Sequence, residues 1–335
     1  MMDLVTGITG LVGSHVALEL LASGRTVHGL VRQGSDRSIV RKVFLHHRSD
    51  GEALFDRIVW VECDLLDAIG LREAMSGVDR VFHCAALVSF DPRDRRRMFA
   101  TNIGGTANVV DAALECGIRR LVHVSSTAAT GRSGNGEPVN ERMPWVRDAA
   151  TSPYAVSKYE GEMEVQRAVA EGLAAVIVNP SVVLGPGARG RGSLSVIERV
   201  AKGTSFYPTG SNGIVDARDV ASAMVIASEK GGIGERYILS SEPISYRDMF
   251  SAIATGNGHT PPTHVVPAWV LSLAWRAEAL RTAVFGGRAL ITRYTVHSAL
   301  QHYRYDSSKA QALGISFRDP LVTIQDAVAF HKTLT

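Results

Sequence analysis

The chain has 335 residues, of which 45% are hydrophobic and 21% charged, an ordinary composition for a soluble enzyme with one large domain and a lobe, or two domains. A net charge of +3 is too small to argue for a nucleic-acid partner, and the basic cluster Arg93, Arg95, Arg96 and Arg97 reads as a solvated helix face. Cys63, Cys84 and Cys116 carry no CxxC spacing; Cys63 and Cys84 fall on predicted buried strands and read as small apolar residues of a reducing compartment.

The chain opens on a short strand at residues 3–5, followed by Thr6-Gly7-Ile8-Thr9-Gly10-Leu11-Val12-Gly13. A helix is predicted over 12–22, because Val12, Val16 and Leu20, with Ala17 and Leu21, recur at helical spacing. A GxxGxxG run carries meaning only between a strand and a helix, as here. Glycines let the backbone take conformations closed to other residues and let a phosphate approach the first helical turn, where unpaired N–H groups and the helix dipole favour negative charge. Gly13 lies inside the helix at a cost of about 1 kcal/mol, with close helix-to-strand packing as the expected compensation. Gly7 and Gly10 also interrupt any apolar leader, so no signal peptide is expected.

Further strands are predicted at 26–31, 58–62, 80–83, 121–124 and 174–178, with helices at 70–75, 95–115 and 154–171. Such alternation implies an α/β fold, a doubly wound parallel sheet whose ligand lies beyond the carboxyl ends of the strands at the topological switch. Residues 38–57 are about one helix more than a minimal unit needs and are expected to form a surface insertion. Their His46-His47 pair is not expected to bind metal, since adjacent residues leave a helix on different sides.

Ser125-Ser126 is followed about 30 residues later by Tyr154 and Lys158, one helical turn apart. A YxxxK spacing alone recurs by chance in helices. Combined with the glycine turn it points to hydride chemistry on a dinucleotide.

After Pro180 the pattern changes. Residues 185–192 read as a mobile loop that orders over substrate, 196–202 as a helix, and 213–239 as a strand-helix-strand unit that rejoins the sheet. The expected division is therefore a dinucleotide-binding domain at 1–180, rejoined by about 213–239, and a smaller, mostly helical substrate lobe at 181–212 and 240–335. Within the lobe, 267–285 is amphipathic, with Trp269, Leu273, Trp275 and Leu280, and is expected to be a helix buried against the core rather than lying on a membrane. The apolar stretch 268–275 falls short of the ~20 residues that span a bilayer. A cytoplasmic protein without membrane insertion is expected.

With these motifs placed, the chain resembles the extended short-chain dehydrogenase/reductase superfamily, the NAD-dependent epimerase/dehydratase group, and within it the dihydroflavonol-reductase-like bacterial branch. The resemblance also rests on Cys63-Asp64-Leu65, His83-Cys84-Ala85-Ala86, Asn102 with Gly105-Thr106, Asn179-Pro180-Ser181 with Gly185-Pro186, and Asp216-Ala217-Arg218-Asp219-Val220. It implies a Rossmann fold and a catalytic Ser126, Tyr154 and Lys158. It implies cofactor contacts from Gly7, Thr9, Gly10, Leu11, Val12, Gly13, Arg32, Asp64, Leu65, Ala85, Ala86, Asn102, Tyr154, Lys158, Pro180, Ser181 and Val183. It further implies a homodimer through the 95–115 and 154–171 helices.

In such a site Tyr154 exchanges the proton of a carbonyl or alcohol, Ser126 binds the substrate oxygen, and Lys158 favours the phenolate and holds the ribose. Ser125 is expected to point into the core. An Arg at the end of the second strand suits the 2′-phosphate of NADP, where a carboxylate would suit NAD; Arg32 stands there, with no acid until Asp36. The expected activity is an NADP(H)-dependent reductase, or alcohol dehydrogenase in reverse, acting on a medium-sized, partly apolar small molecule; NAD stays open. The alternative is a nucleotide-sugar epimerase with tightly bound NAD, for which Asn179 is suitable but a diphosphate-clamping Arg is not evident among Arg189, Arg191 and Arg218. A non-catalytic dinucleotide sensor is disfavoured because Tyr154 and Lys158 are both present.

Overall fold

The computed structural model describes residues 1–133, 136–188, 190, 194–289 and 291–334. In chain order the strands are β1 (Met2–Thr6), β2 (Thr26–Val31), β3 (Val59–Glu62), β4 (Arg80–His83), β5 (Arg120–Val124), β6 (Ala175–Pro180), β7 (Val182–Leu184), β8 (Phe206–Tyr207), β9 (Ser211–Asp216), β10 (Arg236–Leu239), β11 (Pro243–Ser245) and β12 (His264–Val265). Seven of them form one sheet in the order β3-β2-β1-β4-β5-β6-β10, parallel throughout. Helices cover both faces, so the central strands are apolar without alternation: Leu4, Val5, Val81, Phe82, Leu121, Val122, Val176 and Ile177 are all fully buried. This is the Rossmann arrangement.

The order reverses between β1 and β4, the topological switch point at which ligands of such sheets bind. Arg80 ties the same strands from the opposite end. Its buried guanidinium donates to both oxygens of Asp3, at 2.8 and 2.9 Å, and to Ser228 Oγ at 3.0 Å on the Ala217–Lys230 helix. Removing one partner would strand a buried charge, a loss of about 3–5 kcal/mol.

The strand-helix-strand unit predicted at 213–239 divides between two sheets. β9 joins a small sheet of order β11-β9-β7, the Ala217–Lys230 helix packs on the Leu11–Ala22 helix, and β10 completes the main sheet beside β6. The C-terminal region is otherwise helical, with Tyr246–Gly256 and Pro320–Thr333 sharing an apolar cluster that includes Ile253, Ala254, Ile324 and Val328.

Two expectations are corrected here and one is refined. Residues 38–57 are more than a surface insertion. They form the helices Ser38–His47 and Gly51–Asp56, and Val40, Val43 and Phe44, at i, i+3 and i+4, are fully buried, Val40 and Phe44 within the main core. The helix predicted over 95–115 runs through all of these residues, but it winds as a π-helix over Ala100–Gly104 between Arg95–Phe99 and Gly105–Glu115. The Ala268–Phe285 helix, expected to be buried against the core, has no buried residue.

Candidate active site

Gly7 takes φ +66°, and the N–H of Gly10 donates to its carbonyl at 2.8 Å, which turns the chain from β1 into the Leu11–Ala22 helix. Any side chain on Gly7 would meet Ala85 Cα at 2.6 Å, so the loops after β1 and β4 touch backbone to backbone. Gly13 is as tightly placed, since a Cβ there would lie 2.3 Å from Gly7 O. The compensation for this helical glycine is thus packing of helix on turn. Thr6 fixes the second loop, with Oγ1 2.7 Å from His83 Nδ1 and accepting from the N–H of Ala85 at 3.2 Å.

These glycines form a cradle that a Cβ would fill, and Ser181, just past β6, has a buried hydroxyl without a partner. Both fit a dinucleotide whose pyrophosphate lies on the helix N-terminus. Where β2 and β3 end, a cleft of about 650 Å³ is lined by Thr9, Arg32, Gln33, Ser35, Glu62 and Asp64, among others. Arg32 is exposed on it, and Asp36 accepts from the N–H of Ser38 at 2.8 Å. Of the expected cofactor residues, Thr9, Arg32 and Asp64 line this cleft. Leu65 lies buried under Gly105, while Pro180 ends β6 and Val183 lies in β7. Asn102 is 2% exposed and its amide is already occupied: it accepts from Leu87 N–H at 2.8 Å and donates to Leu87 O and Ser157 Oγ, both at 3.0 Å. It holds the loop after β4 in place.

The Pro153–Ala170 helix begins at Ser152, whose hydroxyl accepts from Ala155 N–H at 3.1 Å, with Pro153 in the first turn. This start puts Tyr154 at the mouth and Lys158 one turn deeper. The Tyr154 ring meets Phe90 edge-on at 5.7 Å. Burial holds the phenol above its ordinary pKa, while the Ser126 hydroxyl facing it works in the opposite direction. Lys158 donates to Val124 O at 2.8 Å, and burial lowers its amine to about 8. Burial thus works against ionisation of the phenol.

Behind these groups lies a polar layer that spacing alone did not reveal. Ser157, fully buried, donates to Tyr154 O at 2.8 Å and accepts from Asn102, linking the loop after β4 to the helix that carries Tyr154. Ser125 is buried against Glu162, whose carboxyl is raised by burial. Asn179 donates to Glu162 and to Ser126 O, the latter at 3.1 Å, and Arg236 Nη1 lies 3.4 Å from Glu162. Asn179 is completely buried and supports the Ser126 backbone. The signal for this layer was the apolar helix face interrupted by Ser157 and Glu162.

A second polar cluster joins the glycine turn to the lobe. His15 Nδ1 donates to Leu11 O at 2.7 Å, leaving Nε2 to accept from His47 Nε2 at 3.0 Å; His46 lies 2.8 Å from Asp326, and Arg218 3.2 Å from that carboxylate. The His46 and His47 rings are 5.0 Å apart, so the two do not diverge as expected. Arg218 is also bidentate to Asp216 at 2.9 and 2.6 Å. It is therefore committed, while Arg189, Arg191 and Gly192 of the expected loop lie outside the described residues.

The sequence profile of the NAD-dependent epimerase/dehydratase family matches residues 4–240. The chain belongs to this family. It is similar to a putative dihydroflavonol 4-reductase of a Synechocystis species, at 33% identity over 98% of this chain and 94% of the relative. It is also similar to sterol demethylase protein B of Methylococcus capsulatus, at 30% identity over 99% and 98% of the two chains. Among solved structures, the Thermus thermophilus UDP-glucose 4-epimerase complexed with NAD aligns with a TM-score of 0.76 over 100% of both chains, at 23% identity, a likeness of fold. The family assignment makes the protein an NAD(P)-dependent enzyme. Among the described residues no helix is long and apolar enough to cross a membrane.

One consequence of the site's burial is measurable. His123 lies buried on β5, 5.1 Å from the ring of His83 and with neither nitrogen partnered; burial, with Lys158 nearby, holds its pKa well below 6.5. Since the unfolded chain protonates this residue near pH 6.5 and the folded one does not, its neutral form favours folding fully above pH 6.5 and progressively less as pH falls. From pH 7.5 to 5.5 the loss is about 1.4 kcal/mol, roughly 2–4 °C. The melting temperature of His123→Leu relative to the parent should therefore climb by that amount over this range. Parallel melting curves at all pH values would refute the buried neutral histidine.

Proposed function

We propose that the protein is an NADP(H)-dependent reductase of a carbonyl, or dehydrogenase of a secondary alcohol, on a medium-sized and partly apolar substrate. The observation that carries this reading is the buried Tyr154 phenol, which faces the Ser126 hydroxyl and meets the Phe90 ring edge-on at 5.7 Å. When bound, the nicotinamide supplies the hydride. Tyr154 gives its proton to the carbonyl oxygen, and Ser126 donates a hydrogen bond to the same atom as it gains charge. Lys158 stands one turn below and, when protonated, can restore the phenol's proton. Ser157 and Asn102 keep the Tyr154 turn in register with the loop after β4. On this reading residues 1–180 with 213–239 bind the dinucleotide, the remaining lobe selects the substrate, and two chains pair through the 95–115 and 154–171 helices.

The names of the two relatives support an apolar substrate for this chain, and Arg32 in the cleft beyond β2 supports NADP. The competing reading is a nucleotide-sugar epimerase, favoured by the fold likeness alone. Arg218, the described candidate for gripping a diphosphate, is held by Asp216 and Asp326 instead.

An epimerase returns the hydride to the same substrate and gains from keeping its nicotinamide; a reductase releases it each turnover. The protein should therefore exchange cofactor readily and consume NADPH in proportion to the alcohol formed from a carbonyl substrate. Absorbance of cofactor freed from denatured protein, together with NADPH loss against product, decides the matter. Tightly held NAD with product forming at no net cofactor consumption would establish the epimerase.

A further inference from the structure

The Ala268–Phe285 helix is apolar all round but covered on one side only. Val270, Leu271 and Trp275 are partly buried on the inner side, with the Arg293–Leu300 helix as the helix's main neighbour. Outward, Trp269, Leu273, Leu280 and Val284 share one face and are 58–66% exposed, and Phe285 is 82% exposed. A helix that is hydrophobic on all sides belongs in an environment that covers all of them. The β8–β12 ribbon that leads into the helix extends the patch with exposed Phe206 and Val265. Contiguous apolar surface of this kind marks an interaction site.

The exposed charges on and just past the helix are arginines, with Asp94 lying 4.0 Å from Arg288. Arg276 is exposed within the patch, and Arg288, just past the helix, has a side chain 77% exposed. The helix contains one acid, Glu278, and that carboxylate is turned inward and paired with Arg281 at 2.8 Å. A second copy of the chain meeting this face would bring the same arginines and no acid to match them. An anionic lipid surface supplies both the apolar layer and the negative charge.

We propose that this helix docks the enzyme on the interface of an anionic lipid bilayer, lying in the plane of the headgroups. The segment just past the helix reaches the loop beside Tyr154. The N–H of Ala289 donates to Asp91 at 3.3 Å and Arg288 lies 4.0 Å from Asp94, which ties the end of the helix to the loop that carries Phe90 beside Tyr154. The matching substrate class is an apolar ketone or alcohol dissolved in the bilayer. That last step rests on the reductase reading, while docking itself does not.

The test is flotation of the full-length protein with vesicles of pure phosphatidylcholine and of equal parts phosphatidylcholine and phosphatidylglycerol. Binding to the anionic vesicles should exceed that to the neutral ones by about tenfold or more. The double variant Leu273→Asp/Leu280→Asp, at exposed sites and with an unchanged melting temperature as control, should lose about tenfold or more of the binding. Arg276→Glu/Arg288→Glu should lose binding to anionic vesicles only. A wild-type chain that stays unbound, or a Leu-to-Asp variant that binds like the parent, overturns the proposal. So does self-association by sedimentation velocity that needs Leu273 and Leu280 while vesicles go unbound, which would assign the face to a second copy. Vesicle binding without any carbonyl reduction leaves docking standing and removes the reductase reading alone.

Discussion

Tyr154→Phe is expected to lower turnover by roughly 10²- to 10⁴-fold, the worth of a positioned general acid. The fold should survive the change, because the edge-on contact with Phe90 at 5.7 Å needs only the ring. Ser157 donates to the main-chain carbonyl of Tyr154, so the helix start keeps its hydrogen bonds without the phenol. Cofactor affinity, measured by fluorescence titration, should stay close to that of the parent. Single-turnover measurements keep product release from hiding the effect. Retention of more than about a third of parental turnover, where chemistry limits the rate, would remove Tyr154 from the reaction.

Burial raises the pKa of the phenol, and Lys158 donates one of its N–H groups to Val124 O at 2.8 Å. A protonated phenol is the form that acts as an acid on a carbonyl, and oxidation of an alcohol would run the same proton transfer in reverse.

The glycine turn, the parallel sheet and the one-turn spacing of Tyr154 and Lys158 were legible because each obeys a local rule: a turn needing positive φ at Gly7, strands of uninterrupted apolar residues, an i, i+4 pair on one helix. The supporting layer was not, since Glu162, Asn179 and Arg236 meet through the sheet from three elements far apart in sequence. Asn102 illustrates the same limit. Its motif marks it as part of the site, but only the π-helical segment and the loop after β4 reveal that its amide is spent on Leu87 and Ser157. The Ala268–Phe285 helix failed in the opposite sense. Apolar spacing predicts a face to be covered, and it cannot say by what.

Arg32→Ala is expected to weaken NADPH by roughly one to two decades while leaving NADH nearly unchanged. The guanidinium stands exposed at the end of β2, on the cleft shared with Ser35, and nothing else on that turn carries a positive charge until Arg37. Arg37 is placed over the ring of Trp60 at 4.9 Å, which leaves Arg32 to meet a 2′-phosphate. A charge-assisted hydrogen bond contributes about 1.5–3 kcal/mol, which is the stated one to two decades. Glu62 and Asp64 on the same cleft make its net field less favourable to phosphate once the Arg is gone, so the loss should be steepest at low ionic strength. Titration of both cofactors against parent and variant measures the difference. Equal losses for NADPH and NADH would place the guanidinium over the adenine, a contact that both cofactors share.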